Sequence, residues 1–464
     1  MTLALHTDRL LPADPHIRRI ARELFDACAS LPIVSPHGHT DPAWFDKNEP
    51  FSNPAELLIT PDHYVYRMLY SQGISLDQLG IGERDAEPQD VWRIFAAHYH
   101  LFRGTPTRVW LDHVFHEVFG INDVLDTTTA DAYFDAINAA LKRPEFRPRA
   151  LFERFGIEVL ATTESPLDGL EHHAAIQASS WQGRVITTFR PDPVIDPEYE
   201  GFHDNVEQLG QLTGENTRLF SGYLAALQSR RAFFRAHGAT ATDHGHPSAR
   251  TANLDADDAK ALFAKILKGG VSAEDAELFR AHMLTEMARM SLEDGMVMQI
   301  HPGSWRNHNA LLFRHFGRDR GADIPMRTSY VDALKPLLDL YGNETGLSVI
   351  VFTLDETTYS RELAPLAGHY PCLKLGPAWW FHDSPEGMRR FREQTTETAG
   401  FYNTVGFNDD TRAFLSIPAR HDMSRRIDAG FLARLVAEHR LSILEAHEVG
   451  RFLAYEAAKH AYRL

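Results

Sequence analysis

Cysteine is scarce in this chain: Cys28 and Cys372 are the only two in 464 residues. Two thiols make neither a disulfide framework nor a cysteine-based zinc site, and their scarcity suits a reducing, cytoplasmic setting. Basic residues are also in deficit, with 47 Lys and Arg against 63 Asp and Glu and a net charge of −16. Binding phosphates requires a basic surface, so no nucleic-acid partner is expected. No apolar run reaches the roughly 18 residues that a membrane span needs. The opening Met1-Thr-Leu-Ala-Leu-His-Thr-Asp-Arg9 lacks the basic stretch and apolar core of a signal peptide. The expectation is a soluble cytoplasmic protein without a membrane partner.

Apolar residues make up 44% of the chain and aromatics 11%, ample for a core. The length calls for one large barrel with insertions or for two domains. Short runs rich in Val, Ile, Thr and Phe recur at Ile33–His39, Ile157–Glu164, Arg184–Pro191, Ala239–His246, Met296–Pro302, Leu347–Asp355, Cys372–Trp380 and Thr404–Asp410. Several are continuously apolar, as strands of a parallel sheet covered on both faces should be. Helical periodicity fills the gaps. Ser272 and Asp275 form a capping-box pattern before a helix through Met290, and Gly269-Gly270 end the helix before it. Eight strands alternating with helices predict an α/β fold, a (β/α)8 TIM-type barrel. Residues 47–150, with helical stretches at Val91–His100 and Thr107–Phe119, read as a helical subdomain inserted after the first strand. The predicted organisation is therefore 1–46, 47–150 and 151–464, with extra helices around 203–292 and a helical C-terminal segment.

Within that frame, His37-Gly38-His39 closes the first strand-like run. Residues i and i+2 of a strand point to one face, so two imidazoles there can share a divalent metal. Spacing alone is weak: 25 histidines in 464 residues produce roughly one such pair by chance. His98/His100 and His244/His246 are two more, the first in a helical stretch where i and i+2 diverge. Position distinguishes His37 and His39, because catalytic groups of such barrels sit at the C-terminal strand ends. Those ends collect His37, His39, Thr163, Glu164, Arg190, Asp243, His244, His301, Asp355, Trp379, Trp380 and Asp410. Singly, each has a plainer account: a hydrogen-bonded structural histidine, a helix-capping Asp409 or Asp410, a surface-loop arginine. Their coincidence on one face favours a site.

From about residue 15 to about residue 426 the chain resembles the uronate isomerases, a divergent branch of the amidohydrolase superfamily. The resemblance rests on His37-Gly-His39, Asp62-His-Tyr-Val-Tyr-Arg67, Thr162-Thr-Glu-Ser-Pro166, Phe189-Arg-Pro-Asp192, Gln299-Ile-His-Pro-Gly-Ser-Trp-Arg306, Gly376-Pro-Ala-Trp-Trp-Phe381 and Asp410-Thr-Arg412-Ala-Phe-Leu-Ser416. The Thr-Thr-Glu-x-Pro, Trp-Trp-Phe and Asp-x-Arg-x-Phe-Leu-Ser elements are far more specific than His-x-His.

The resemblance implies ring opening and aldose–ketose interconversion of a hexuronate: D-glucuronate with D-fructuronate, or D-galacturonate with D-tagaturonate. It implies one divalent metal ion, zinc by preference, held by His37, His39 and Asp410. The fourth and sixth strands end Thr-Asp-His and Leu-Asp-Glu, which lack the ligands of a bridged metal pair. A 1,2-proton shift through an enediol needs acid and base groups and stabilisation of the enediolate. Asp410 and Tyr64 are the expected acid/base groups, and Arg412 the stabiliser. Arg190 is first choice for the substrate carboxylate, which favours a bidentate cation. His63 and Arg306 are further expected substrate contacts, and His301 on the fifth strand is expected either to point at the metal site or to bind substrate. Trp379 and Trp380 are placed against the sugar's apolar face, with core packing an equal account of one of them. After Ser416 the chain runs one residue longer than the family pattern, so Arg420 and His421 receive no role. The alternatives are a metal-dependent hydrolase or decarboxylase of the same superfamily, and a non-catalytic sugar-acid-binding protein. A homo-oligomer is permitted but not required.

Overall fold

The computed structural model describes residues 2–82 and 86–464. Nine strands lie among them: β1 (Ile33–Ser35), β2 (Ile157–Glu164), β3 (Arg184–Phe189), β4 (Ala241–His244), β5 (Val297–Ile300), β6 (Ser304–Trp305), β7 (Ile324–Pro325), β8 (Val349–Val351) and β9 (Leu373–Leu375). Seven form a parallel sheet in the order β1-β2-β3-β4-β5-β8-β9, while β6 and β7 pair alone as an antiparallel hairpin. The longest register joins β2 to β3, from Val159 opposite Arg184 to Glu164 opposite Phe189.

The strands are continuously apolar because both faces are covered. Along β5 and β8 successive side chains alternate between two cores. Met298, Val349 and Val351 pack with the outer helices, whereas Val297 and Ile350 join Ala241, Val405 and Tyr462 on the inner side. The C-terminal helix Ala457–Tyr462 reaches this inner core, where the Tyr462 hydroxyl donates to Oε1 of Gln299 at 2.9 Å. The predicted capping box is formed: Ser272 and Asp275 cap the helix Ala273–Asp294 reciprocally. Helices Pro54–Leu58, His63–Tyr70, Pro88–His98, Pro106–His113, Ala130–Leu141 and Pro148–Arg154 occupy the stretch before β2. Their apolar cluster includes Ile33 of β1, Ile157 and Leu160 of β2 and Val185 of β3, so they share a core with the sheet.

Two strand-like runs end differently from the sequence pattern. β1 stops at Ser35; Pro36 has no N–H to continue the ladder. The run Thr404–Asp410 forms no regular strand and meets β9 through one parallel bridge, Leu375 to Thr404. Gly406 explains the break. It sits at φ +77°, and a Cβ there would come within 2.8 Å of the Leu453 carbonyl oxygen. This irregular segment nevertheless returns to β1: His39 N–H donates to the Thr411 carbonyl at 3.0 Å, and Ser35 Oγ to Asp409 Oδ1 at 3.1 Å.

Candidate active site

His37 and His39 follow β1 and converge despite lying beyond it, with ring centroids 5.3 Å apart. Thr163 on β2 donates to the Gly38 carbonyl at 2.9 Å and lies 3.5 Å from His37 Nδ1, which leaves His37 Nε2 toward the site. Asp410 arrives from the irregular segment in a left-handed conformation, φ +37°. That is a strained backbone for a non-glycine residue, of the kind found where surroundings hold a functional side chain. Its Oδ1 lies 3.1 Å from His39 Nε2 and 3.7 Å from His37 Nε2. Trp379 donates its indole N–H to Oδ2 at 2.6 Å. The neighbouring Asp409 turns away, bonded to Ser35 and His421, so the two adjacent carboxylates serve different surroundings.

A second group shares His37. Asp243 of β4 holds His301 Nδ1 at 2.6 Å, and its Oδ2 lies 3.8 Å from His37 Nε2. His301 stacks on His37 at 5.1 Å and on Phe352 at 3.9 Å. Its Nε2, like Oδ1 of Asp410, is buried without a hydrogen-bond partner among the described residues. Both triads, His37–His39–Asp410 and His37–Asp243–His301, keep their ligand atoms within 4.8 Å of one another. Tetrahedral zinc with bonds near 2 Å separates its ligands by about 3.3 Å, close to the His39–Asp410 and His37–Asp410 spacings. The charges suit a cation. Burial pulls the His37 imidazole down to about 4, so it is neutral near pH 7. Burial opposes ionisation of Asp410, yet His37 and His39 outweigh it and hold the carboxyl well below its usual range. The residues fit a divalent ion on orphaned atoms and donor chemistry alike.

Asp243 is the ligand-type residue that sequence reasoning left unassigned beyond its strand end. A signal was present. In Thr242-Asp-His244 alternation sends Asp243 to the face opposite Thr242 and His244, which bond each other at 3.0 Å.

These groups line a cavity of about 890 Å³. Arg190 stands at its wall with Nε on Asp192 at 2.9 Å and Nη1 on Asp243 at 3.1 Å. Arg412 enters the cavity 40% exposed and among the described residues pairs with Asp319 alone, at 3.5 Å. Arg306 pairs with Asp323 at 2.9 Å and lies over the Trp380 ring at 5.1 Å. Of the two indoles, Trp379 is buried, whereas Trp380 is half-buried and lines the cavity. Tyr64 and His63 stack on each other at 4.5 Å. Burial drives the Tyr64 hydroxyl above its ordinary range despite Arg420, so it stays protonated. Burial, aided by Arg412, Arg420 and Arg67, takes His63 down to about 3.

The segment beyond Ser416 lies beneath this wall. Arg420 is fully buried, bonds Asp383 at 2.5 Å and lies 3.5 Å from the Trp110 ring centroid, while His421 Nε2 meets Asp409 at 3.0 Å. The loop between β6 and β7 was not legible in the sequence. It closes over helix His63–Tyr70, with the Tyr66 hydroxyl on the Asp319 carbonyl at 2.7 Å.

A curled parallel sheet with its polar side chains gathered beyond the C-terminal strand ends, around imidazoles and carboxylates facing one cavity, defines an α/β enzyme with a candidate divalent-cation site. Comparison with known proteins gives the particular kind. The profile of the glucuronate isomerase family matches residues 12–462. A uronate isomerase of Rhizorhabdus wittichii is 66% identical over 462 residues, spanning 100% of this chain and 99% of its own. The crystal structure of glucuronate isomerase from Caulobacter crescentus matches with a TM-score of 0.99 at 61% identity, over 100% of this chain and 98% of that one. Uronate isomerase from Thermotoga maritima follows at 0.93 and 28% identity, over 99% of each chain. The chain belongs to the glucuronate isomerase family, an isomerase family, as the sequence resemblance implied.

Proposed function

We propose that this chain interconverts D-glucuronate with D-fructuronate, and D-galacturonate with D-tagaturonate, in hexuronate catabolism. The observation that carries the reading is the buried, unpartnered Oδ1 of Asp410 between His37 and His39, beside the cavity-facing Arg412. Family membership supplies the reaction. His37, His39 and Asp410 would hold one divalent ion, zinc first by donor type, which when bound polarises a substrate oxygen.

The chain's own groups account for the rest. Asp410 moves a proton as the sugar ring opens. In the aldose-to-ketose direction a proton leaves C2 and O1 gains one, forming an enediol; O2 then loses a proton while C1 gains one. Arg412 stabilises the negative oxygen along that path, because its guanidinium faces the cavity and is held there by one long, exposed pairing with Asp319 at 3.5 Å. Tyr64, kept protonated by burial, donates to oxygen rather than taking the C2 proton. Arg190 presents its remaining donors to the C6 carboxylate from a position fixed by Asp192 and Asp243. His63, His301 and Arg306 contact the substrate, with Trp380 against the sugar face and Trp379 behind it.

The same reading takes the segment at 404–411 as the eighth, irregular stave of a (β/α)8 barrel, and residues 47–150 as its helical insertion. No helix of the described residues is long and apolar enough to cross a membrane, and two buried free thiols fit a cytoplasmic setting. Incubation with each hexuronate, with the ketose read by NMR and metal content measured on the same sample, tests the proposal. A metal-loaded, folded protein that forms no ketose from either substrate overturns it.

A further inference from the structure

Asp192, His244 and His246 form a third ligand-type group; the isomerase reading uses Asp192 to fix Arg190 and gives the two histidines no role. One ligand atom from each lies within 4.8 Å of the others. All three are buried, at 7%, 0% and 3% exposure. His244 lies on the face of β4 opposite Asp243, while Asp192 lines the cavity and holds Arg190, so the group adjoins the wall that carries Arg190.

Its unsatisfied atoms mark it. Both ring nitrogens of His246, and Nδ1 of His244, are buried without a hydrogen-bond partner among the described residues. A neutral imidazole carries one donor and one acceptor, and three orphaned ring nitrogens beside one carboxylate are a donor set that an ion satisfies. His244 is prepared for one. Thr242 Oγ1 lies 3.0 Å from His244 Nε2; with Nε2 as the donor, the lone pair falls on Nδ1, the tautomer a ligand needs.

Asp192 supplies the anionic donor. Its Oδ2 takes Arg190 Nε at 2.9 Å, both oxygens accept the Gly245 N–H, and Oδ1 faces His246 Nε2 at 3.8 Å. The charges acting on His246 are Asp192, Asp196 and Glu277 against Arg280, an excess of carboxylate. We propose that Asp192, His244 and His246 bind a second divalent cation of the zinc class, with two imidazoles, one carboxylate and an open fourth position. The ligands come from the turn after β3 and the end of β4, so the ion ties together the two segments that hold Arg190. A tetrahedral ion draws its ligands to about 3.3 Å apart, an inward shift of the order of 1 Å from the present spacings.

The test is metal content after stripping with a chelator, reloading with zinc chloride and desalting. The native chain is expected to retain two zinc ions and His246→Asn one, with both proteins melting cooperatively. Equal stoichiometry in the two overturns the proposal. Should His246→Asn fail to fold, anomalous diffraction at the zinc edge from native crystals decides independently. A peak between Asp192, His244 and His246 supports the site. Density for water alone there, with zinc bound at His37, overturns it.

Discussion

Trp379 donates its indole N–H to Oδ2 of Asp410 at 2.6 Å, and this turns Oδ1 toward His37 and His39. Partners that orient a metal ligand are worth about 10–100-fold in metal affinity. Trp379→Phe keeps an aromatic ring against Phe352 and His301 but removes the donor. Metal affinity is expected to fall by that factor, read by competition with a chromogenic chelator, while the melting temperature changes little. Unchanged affinity would mean that the strained backbone at residue 410 alone orients the carboxylate.

Arg412 has little structural work in the free protein, since its one ion pair among the described residues, with Asp319, is exposed and 3.5 Å long. Such pairs contribute about 0–1 kcal/mol. Arg412→Met should therefore fold and load metal normally. Turnover should fall by ~10²–10³ if the guanidinium stabilises charge that exists only along the reaction path. The Michaelis constant should move far less. Near-normal turnover in a folded, metal-loaded variant removes Arg412 from the mechanism.

How far the site was legible follows from which contacts are local. His37 and His39 were readable from their place at the end of the first strand run, whereas Asp410 lies in a segment that forms no regular strand and Arg412 was expected only from the family motif. The interactions of Asp243 are non-local: it meets Arg190 from β3, His301 from β5 and His37 from β1. The alternation in Thr242-Asp-His244 could locate its face but not its partners. The hairpin β6–β7 has two residues per strand, too few for any periodicity to show. Thr404–Asp410 reads as a strand because its apolar residues alternate acceptably; only the approach of Leu453 to Gly406 reveals the break. Seven strand runs were readable because both faces of the sheet are covered, one by helices and one by the inner core, leaving each strand as a short apolar burst between helical periods.

Glu164 carries a pH signature of stability. Burial pushes its carboxyl up to about 7 from an ordinary 4.5, against hydrogen bonds from Thr162 and Thr187. Between those values the folded chain holds a proton that the unfolded chain has released. Stability therefore falls as pH rises through that window, by up to about 1.4 kcal/mol per unit, and levels off above it. Glu164→Gln is neutral throughout and should flatten this part of the profile, measured by denaturant unfolding from pH 5 to pH 8. Identical slopes in the two proteins would show that Glu164 is ionised across the range. Asp383, also pushed up to about 7 by burial, is present in both proteins and cancels in the comparison.

Arg190 bridges two carboxylates, Asp192 at 2.9 Å and Asp243 at 3.1 Å, and this makes its replacement informative in two ways. Burial opposes its charge, but Asp243 and Asp192 outweigh that and fix the guanidinium in its charged form. Arg190→Met leaves buried Asp243 facing His301 and His37 without its strongest cation, a loss that typically costs about 3–5 kcal/mol. Arg190→Lys restores the charge but not the planar fork. One ammonium cannot hold both aspartates in the present geometry and also present paired donors to a substrate carboxylate. The lysine variant should recover much of the stability lost in Arg190→Met, while its Michaelis constant for D-glucuronate rises on the order of tenfold or more, as losing a charged hydrogen bond of about 1.5–3 kcal/mol implies. Thermal melts and steady-state kinetics on the two variants separate the effects. A lysine variant with an unchanged Michaelis constant would confine Arg190 to pairing with Asp192 and Asp243 and leave the carboxylate to Arg306 or Arg412.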